Sequence, residues 1–565
     1  MADRRRRRRW RAARPRCRLP LIGGLLLLPL AVGPARAQDR APLLGFDPLA
    51  LPGPTAPFGT GRLTQGAGPG VWIDRFDTVG LPAGAPPPPG APRGGWTLTP
   101  SLGVQLGATD NVRNSRTNRQ ADGYVRLNPD LALAADTERV TGRLVYRPLA
   151  TYNFNTPDQN RVDHVFNGQG LVTLVPDLLF FDARGSGDVR SLFSDTGLTN
   201  DSSGRQQRIQ GTRYEFSPYL QQRIGGFATA RIGYVFRGAA DSGRSATRPG
   251  DSLPFFSGQS FTANEGYGIL SSGENWGPLA WEARTVNTGF DGSGVYNGAY
   301  RQIHTLQMRY AVTREIALLG EGGWQDQRFN GTPPFVVHDA IWSTGVRLSP
   351  DPDSFLIIRY GRRDGYDSFN GNGNLYVGSR TRVFATYTDQ IGTNLLQASD
   401  LLTTVVVDEQ GNAVDSTTGI PAPIAYRTPF GSTQSSVFRT KRATAGIGQS
   451  WSRDTISLLY FNERREPVSI TPGNTAFSTR TNSFGLSWTH ELTPDIDLRA
   501  LARLGFTEQQ GGRNSTNYVL EAALSQRITP TLSGFVLLRR TSLQEDGSQG
   551  QTDQNSIILS LRQVF

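Results

Sequence analysis

From Trp96 onward, apolar and polar residues alternate with a period of two through one strand-length stretch after another. In Trp96–Asp110, Leu98, Leu102, Val104, Leu106 and Ala108 share one parity, while Thr97, Thr99, Ser101, Gly103, Gln105 and Gly107 share the other. Successive side chains of a β-strand point to opposite faces, so such a segment has one apolar and one polar face. Ala230, Ile232, Tyr234 and Phe236 alternate in the same way with Thr229, Arg231, Gly233 and Arg237, and the pattern recurs over 498–506 and 518–524. The chain therefore reads as all-β.

Alternation also describes a soluble sandwich, and two further features decide against that. The polar parity is dominated by Gly, Ser, Thr and Gln, a poor outer surface for a sandwich but a suitable wall for a wet lumen. The connections are also asymmetric. A short set comprises Val175-Pro176-Asp177, Arg223–Gly226, Trp276-Gly277-Pro278, Thr313-Arg314-Glu315, Ser349-Pro350-Asp351, Trp451–Asp454, Thr493-Pro494-Asp495 and Thr529-Pro530. A longer, polar set comprises Arg190–Arg208, Ala239–Gly258, Phe369–Asn374, Arg465–Thr475 and Gln544–Gln554. Short turns on one side and long loops on the other are the layout of outer-membrane barrels. At roughly 22 residues per strand and connection, residues 96–565 predict a single large antiparallel transmembrane β-barrel of about 20–22 strands. Residues 389–436 break the rhythm. The strands ending near Tyr387 and Ser450 should run in the same direction, so either an extra strand over Leu401–Asp408 lies between them or the segment folds into the lumen as a plug.

The N-terminus bears on export. Of 59 basic and 48 acidic residues, eleven and one lie in residues 1–37, which leaves 48 and 47 beyond and a net charge of +1. The overall net charge of +11 thus belongs to one segment and does not indicate a nucleic-acid partner. That segment has a basic start, an apolar run over 19–31, and Ala35-Arg36-Ala37 before Gln38, which together predict a signal peptide cleaved after Ala37. The one cysteine, Cys17, lies inside it, so the exported chain has neither a disulfide nor a thiolate. Residues 38–95, rich in Gly, Pro and Ala, predict a disordered periplasmic linker. Beyond residue 37 no apolar run reaches 18 residues, and only a closed barrel could then cross a membrane. At the other end, Ile557, Leu559 and Leu561 share the parity of the last residue, Phe565. An amphipathic final strand ending in Phe resembles the signal read by the barrel-assembly machinery, with Gln563 departing from the apolar pattern.

No catalytic set is legible. His164, His304, His338 and His490 lack metal-ligand spacing, and neither a nucleophile elbow nor a phosphate loop is present. Asn370-Gly371-Asn372-Gly373-Asn374 reads as a flexible surface loop, and His490 beside Glu491 reads as an interfacial pair. We expect no enzyme, no cofactor and no metal. Arg231, Arg237, Arg347, Arg499 and Arg503 fall on the polar parity, with Arg143 and Arg309, and would face the lumen. Lumenal arginines favour anionic solutes, although Arg is nearly the only basic residue here, Lys441 being the sole lysine. Glu282, Glu321, Asp497 and Glu521 fall on the same face.

Two stretches carry a resemblance. Trp96–Leu102 running on to Thr109-Asp110-Asn111-Val112, and Leu174–Arg184, resemble outer-membrane β-barrel porins associated with exopolysaccharide and PEP-CTERM sorting systems. The resemblance covers residues 96–565. It implies a barrel and a role in polysaccharide export, and it offers no catalytic residue to carry over.

The expectation is a monomeric outer-membrane barrel with its N-terminus in the periplasm and with Trp and Tyr near strand ends anchoring it in the lipid. Its function would be passive passage of hydrophilic solutes, or a part in exopolysaccharide export with polysaccharide or its export machinery as partner. One alternative is a plugged barrel serving as anchor or assembly partner. Another is a secreted soluble β-rich adhesin or glycan binder.

Overall fold

A computed structural model describes residues 95–191, 208–243, 256–351, 354–378, 380–401, 405–407, 413–415, 434–510, 514–546 and 551–565. The signal peptide, its cleavage residues Ala35, Ala37 and Gln38, and the linker expected before residue 95 lie outside the described residues. The first strands are β1 (Gly95–Thr109), β2 (Asp122–Asp136), β3 (Val140–Asn153), β4 (Arg161–Val175), β5 (Leu179–Ser191) and β6 (Arg208–Ile224). Next come β7 (Ala228–Ser242), β8 (Gln259–Ser272), β9 (Leu279–Gly292), β10 (Tyr300–Ala311), β11 (Ile316–Phe329) and β12 (Phe335–Asp351). They are followed by β13 (Ser354–Arg363), β14 (Tyr366–Val377), β15 (Thr381–Gly392), helix α1 (Asn394–Leu401), β16 (Val405–Val407) and β17 (Ala413–Asp415). The last are β18 (Val437–Ser450), β19 (Asp454–Ser469), β20 (Thr479–Thr493), β21 (Ile496–Gln509), β22 (Ser515–Arg527), β23 (Leu532–Glu545) and β24 (Gln551–Val564).

Among the described residues, 22 of these strands form one antiparallel sheet, and β16 and β17 pair only with each other. Each barrel strand pairs with its sequence neighbours, and β1 pairs with β24 from Ser101↔Val564 to Thr109↔Ser556, which closes the sheet on itself. A closed sheet leaves no edge, so every backbone group in the ladder has a partner without water.

The barrel is inside-out relative to a soluble protein. In β1, Leu98 and Leu106 are 60% and 52% exposed, while Ser101 and Gln105 are 7% and 8% exposed. The outward parity stays apolar around the sheet through Leu220, Ile232, Leu318, Leu458, Leu486 and Leu538, all exposed. A soluble barrel could not present that belt to water, whereas in lipid the hydrocarbon takes it up. The protein is therefore a barrel of the bacterial outer membrane. Aromatics sit toward both ends of the belt. Trp96, Phe227 and Trp451 lie at the end where the chain enters β1, and Tyr152, Phe154 and Phe369 lie at the other, all exposed.

All eight short connections named from the sequence fall at the end where β1 begins and β24 finishes, hereafter the turn end. Connections there span two to six residues. Left-handed backbone closes four of them, at Asp177 (φ 58°), Gly225 (φ 54°), Gly277 (φ 59°) and Gly378 (φ 64°).

Two expectations are corrected. Phe369–Asn374 is not a loop but the middle of β14, and the chain reverses before it at Asp364-Gly365, with φ of 55° and 80°. Positive φ at both central residues is the tight hairpin turn whose twist matches that of its strands. Reading β14 as a loop also hid the next turn, 378–380, and this created the apparent conflict of direction downstream. In fact β15 and β18 are antiparallel neighbours, from Thr381↔Gln449 to Gly392↔Phe438. Among the described residues no extra barrel strand lies between them. Leu401 ends α1, and among the described residues of 401–408 Val405–Val407 is a strand, paired to β17.

Candidate functional site: the lumen lining and its closure

The inward parity carries charge in interlocked sets rather than singly. At the closing seam, Arg562 of β24 donates to Ser101 of β1 (2.7 Å) and to Asp130 of β2, and Asp130 accepts again from Arg147 of β3 (2.7 Å). Across β7 to β9, Arg237 donates to Glu265 (2.8 Å), which also accepts from Thr288 (2.8 Å), and Glu215 of β6 lies 4.0 Å from Arg237. Glu321 of β11 gathers Arg363 (2.7 Å), Gln307 (3.2 Å) and Ser343 (3.4 Å) from β13, β10 and β12. Arg442 meets Glu463 (2.7 Å), and Arg539 meets Glu521 (2.5 Å). These side chains are largely shielded from water, where a charge persists only if paired and hydrogen-bonded.

The five arginines singled out from the sequence lie on this inward parity. Arg237 and Arg503 are buried, and Arg231, Arg347 and Arg499 are half-buried. Arg231 bonds Gln221 and stacks over the Tyr219 ring at 4.9 Å. Arg347 donates to Ser349 (2.8 Å) and lies over Phe355 at 5.6 Å. Arg309 is half-buried on the same parity, and the side chain of Arg143 lies outside the described residues. Glu282, Glu321 and Glu521 are buried. The sequence reading missed Asp130, Glu215, Glu265 and Arg562, because what singles them out is partners brought together by closure.

The asparagine-glycine run forms a distinct part of the wall. In β14, Asn370, Asn372 and Asn374 share the inward parity, and Asn370 and Asn374 are 5% and 3% exposed. Arg359 stands opposite Asn370 in the ladder, and Arg382 donates to Asn374 (2.6 Å). Phe384 is buried beside them, and its ring fills the space where a Cβ on Gly446 would stand. The inward face of β13–β15 thus mixes guanidinium, amide and aromatic groups.

Toward the loop end an apolar cluster occupies part of the interior. Leu395 and Leu396 of α1 are 2% exposed and pack with Ala239, Phe261, Phe290, Tyr296, Phe329 and Val437, drawn from the inward faces of strands and from their loops. Rooted beside β15 and β18, α1 reaches β7, eight strands around the sheet, and β16 reaches β4. Polar contacts cross in the same way. Gln259 before the body of β8 donates to Ser435 (3.0 Å) and Thr471 (3.2 Å), and Asn474 donates to Ser257 (3.0 Å). Tyr296 and Thr393 share a hydrogen bond. Beneath them, Asp364 is held by Gln327 (2.7 Å), and burial pushes its carboxyl above the ordinary range, with Arg363 opposing.

The histidines stay out of the lumen lining. His164 bonds Tyr146 (2.9 Å) and His304 bonds Thr285 (2.7 Å), both exposed. His490 pairs with Asp454 (2.8 Å), not with its neighbour Glu491, and Asp454 also accepts from Trp488 (2.9 Å), an interfacial group near the turn end. Among the described residues no cluster of three or more His, Cys, Asp or Glu could hold a metal. Ile557, Leu559 and Leu561 of β24 face outward and are exposed, as is Phe565, whose amide donates to the Pro100 carbonyl (3.0 Å).

No protein-family model and no curated protein matches the chain. Among solved structures it is similar to the siderophore receptor PirA from Acinetobacter baumannii, with a TM-score of 0.47 and 7% identity over 83% of this chain and 81% of that one. It is also similar to the FrpB iron transporter from Neisseria meningitidis (TM-score 0.46, 7% identity, 83% and 81% covered). A third is the ferric-catecholate import receptor Fiu from E. coli K12 in its open form (TM-score 0.44, 11% identity, 82% and 81% covered).

Proposed function

We propose that the protein is a gated outer-membrane channel for hydrophilic solutes, with helix α1, which follows β15, as the gate at its loop end. The observation that carries this reading is the cross-lumen placement of α1, with Leu395 and Leu396 buried among inward-facing residues. A connection serving only as a surface loop would not bury leucines inside the wall. The solute we propose is polyhydroxylated, a polysaccharide in keeping with the family resemblance. Asn370, Asn372 and Asn374 offer amide donors and acceptors, Arg359 and Arg382 offer fixed cationic donors, and aromatic rings beside them suit the apolar faces of sugars.

The test removes the gate and keeps the strands. Residues 395–433 are replaced by a short Gly-Ser bridge, and single-channel conductance is recorded in planar bilayers. The gated reading expects low conductance for the full chain and a clear rise for the deletion. A deletion variant that folds but conducts no more than the full chain would overturn the gated reading, and with it the alternative of an anchor barrel plugged by this same segment.

A further inference from the structure

Three cations stand side by side on the lipid-facing surface, where nothing in the barrel calls for them. Lys441 of β18 lies opposite Arg464 of β19, and Arg464 lies opposite Arg480 of β20. All three have outward parity. The Arg464 side chain is 60% exposed, Arg480 is exposed and Lys441 is half-buried. Like charges directly opposite one another weaken a sheet, and charge on the lipid face is tolerated only near an interface.

The neighbouring acids account for only part of the row. Asp389 is opposite Lys441 but is taken by Arg439 through two bonds of 2.9 and 2.6 Å. Glu466 meets Arg464 (2.6 Å) from farther along the same strand, and Glu508 stands directly opposite Arg480 in the ladder. Neither Lys441 nor Arg480 has an ion-pair partner among the described residues.

The rows below fix the level. Moving toward the turn end on β19 and β20, the outward pairs run Arg464↔Arg480, Asn462↔Asn482, Tyr460↔Phe484 and Leu458↔Leu486. Asn462 donates to Asn482 (2.8 Å), and the Tyr460 and Phe484 rings are 5.1 Å apart. This is a graded passage from charge through amide and aromatic to hydrocarbon. Barrel aromatics mark the membrane interface. Four residues of tilted strand place the cations about 10 Å above them, within the headgroup layer at the outer surface.

We propose that Lys441, Arg464 and Arg480 form a docking site for the phosphate groups of an outer-leaflet phosphorylated glycolipid. The anion would relieve the like-charge row, and the Asn462–Asn482 pair would meet the sugar beneath it. Lys441 and Arg480 then gain a charge-assisted contact that no described residue of the barrel supplies, and Arg464 gains one beside its pair with Glu466.

The test uses the full chain in detergent micelles, titrated with fluorescently labelled lipopolysaccharide. The combined Lys441→Gln, Arg464→Gln, Arg480→Gln variant is expected to bind on the order of a hundredfold more weakly than wild type, at about fivefold for each lost cation. Arg540→Gln, at another outward loop-end arginine, is expected to bind as wild type does. Folding is checked by heat-modifiable gel mobility. If the triple variant does not fold, Lys441→Gln and Arg480→Gln singly carry the comparison. Equal binding by the variants overturns the proposal. So does undiminished binding of dephosphorylated lipopolysaccharide, or displacement by equimolar inorganic phosphate, which would mark a free-phosphate site.

Discussion

At the scale of single residues, the lumen wall turns on carboxylates that hold several strands at once. Asp130 is 3% exposed and accepts from Arg562 on one side and Arg147 on the other, so one side chain ties β2 to both β24 and β3. A buried ion pair adds little to stability beyond a well-packed apolar substitute, but removing one member leaves its partner charged and unmet. Asp130→Ala should therefore cost about 3 kcal/mol, the low end of the range for such a break, because the Arg147 side chain is 28% exposed and partly screened. Arg147→Gln should cost well under half of that. Urea titration of the heat-modifiable band reads both, and equal losses would refute the role given to Asp130. The sequence shows that Arg231, Arg237, Arg347, Arg499 and Arg503 share a parity. It does not show which acid meets which base, since residue 562 comes beside residue 130 only once the sheet closes.

At the scale of elements, aromatic rings laid across glycines set how neighbouring strands fit. A Cβ on Gly233 of β7 would stand 2.5 Å from the ring of Tyr267 on β8, directly opposite in the ladder, whereas one on Gly266 would meet nothing within 4 Å. Gly233→Val should then destabilise the barrel by about 1–3 kcal/mol, the usual range for overpacking, while Gly266→Ala stays near neutral. Thermal loss of the folded band compares the two, and similar midpoints would mean the ring moves aside freely. Strand identity was legible because alternation is local, and seven of the eight short turns were legible through their Pro, Gly and Asp residues. One hairpin was misread. Asp364-Gly365 carries the signature of a two-residue turn, but the nearby Asn-Gly run drew the loop to itself although its asparagines all share one face. That slip of one strand produced the expectation of an extra barrel strand over Leu401–Asp408, where the strand present, β16, pairs with β17 and not with the barrel. The inward course of α1 was open only as one of two alternatives, because its contacts join residues far apart in the chain.

At the scale of the whole molecule, what separates a barrel from a curled open sheet is a single ladder, β1 on β24. Its register is specific, with Val104 opposite Leu561 and Leu106 opposite Leu559. The only cysteine of the chain is Cys17, so engineered thiols in the barrel can be read without interference. Directly opposed residues in an antiparallel pair have Cα atoms about 4.5–5.5 Å apart, within the span of a disulfide, whereas diagonal neighbours at about 7–8 Å fall outside it. The chain carrying Val104→Cys and Leu561→Cys should oxidise to a covalent ring, which after boiling in detergent without reductant migrates differently from the reduced form. The chain carrying Val104→Cys and Leu559→Cys should cross-link far less. Ready cross-linking in the second pair and not the first would place the seam two residues out of register, moving Arg562 away from Ser101 and undoing the Asp130 network. If neither pair cross-links in a folded band, the sheet is open at this seam, and a row of unpaired backbone amides and carbonyls would then face lipid at a cost of several kcal/mol for each group.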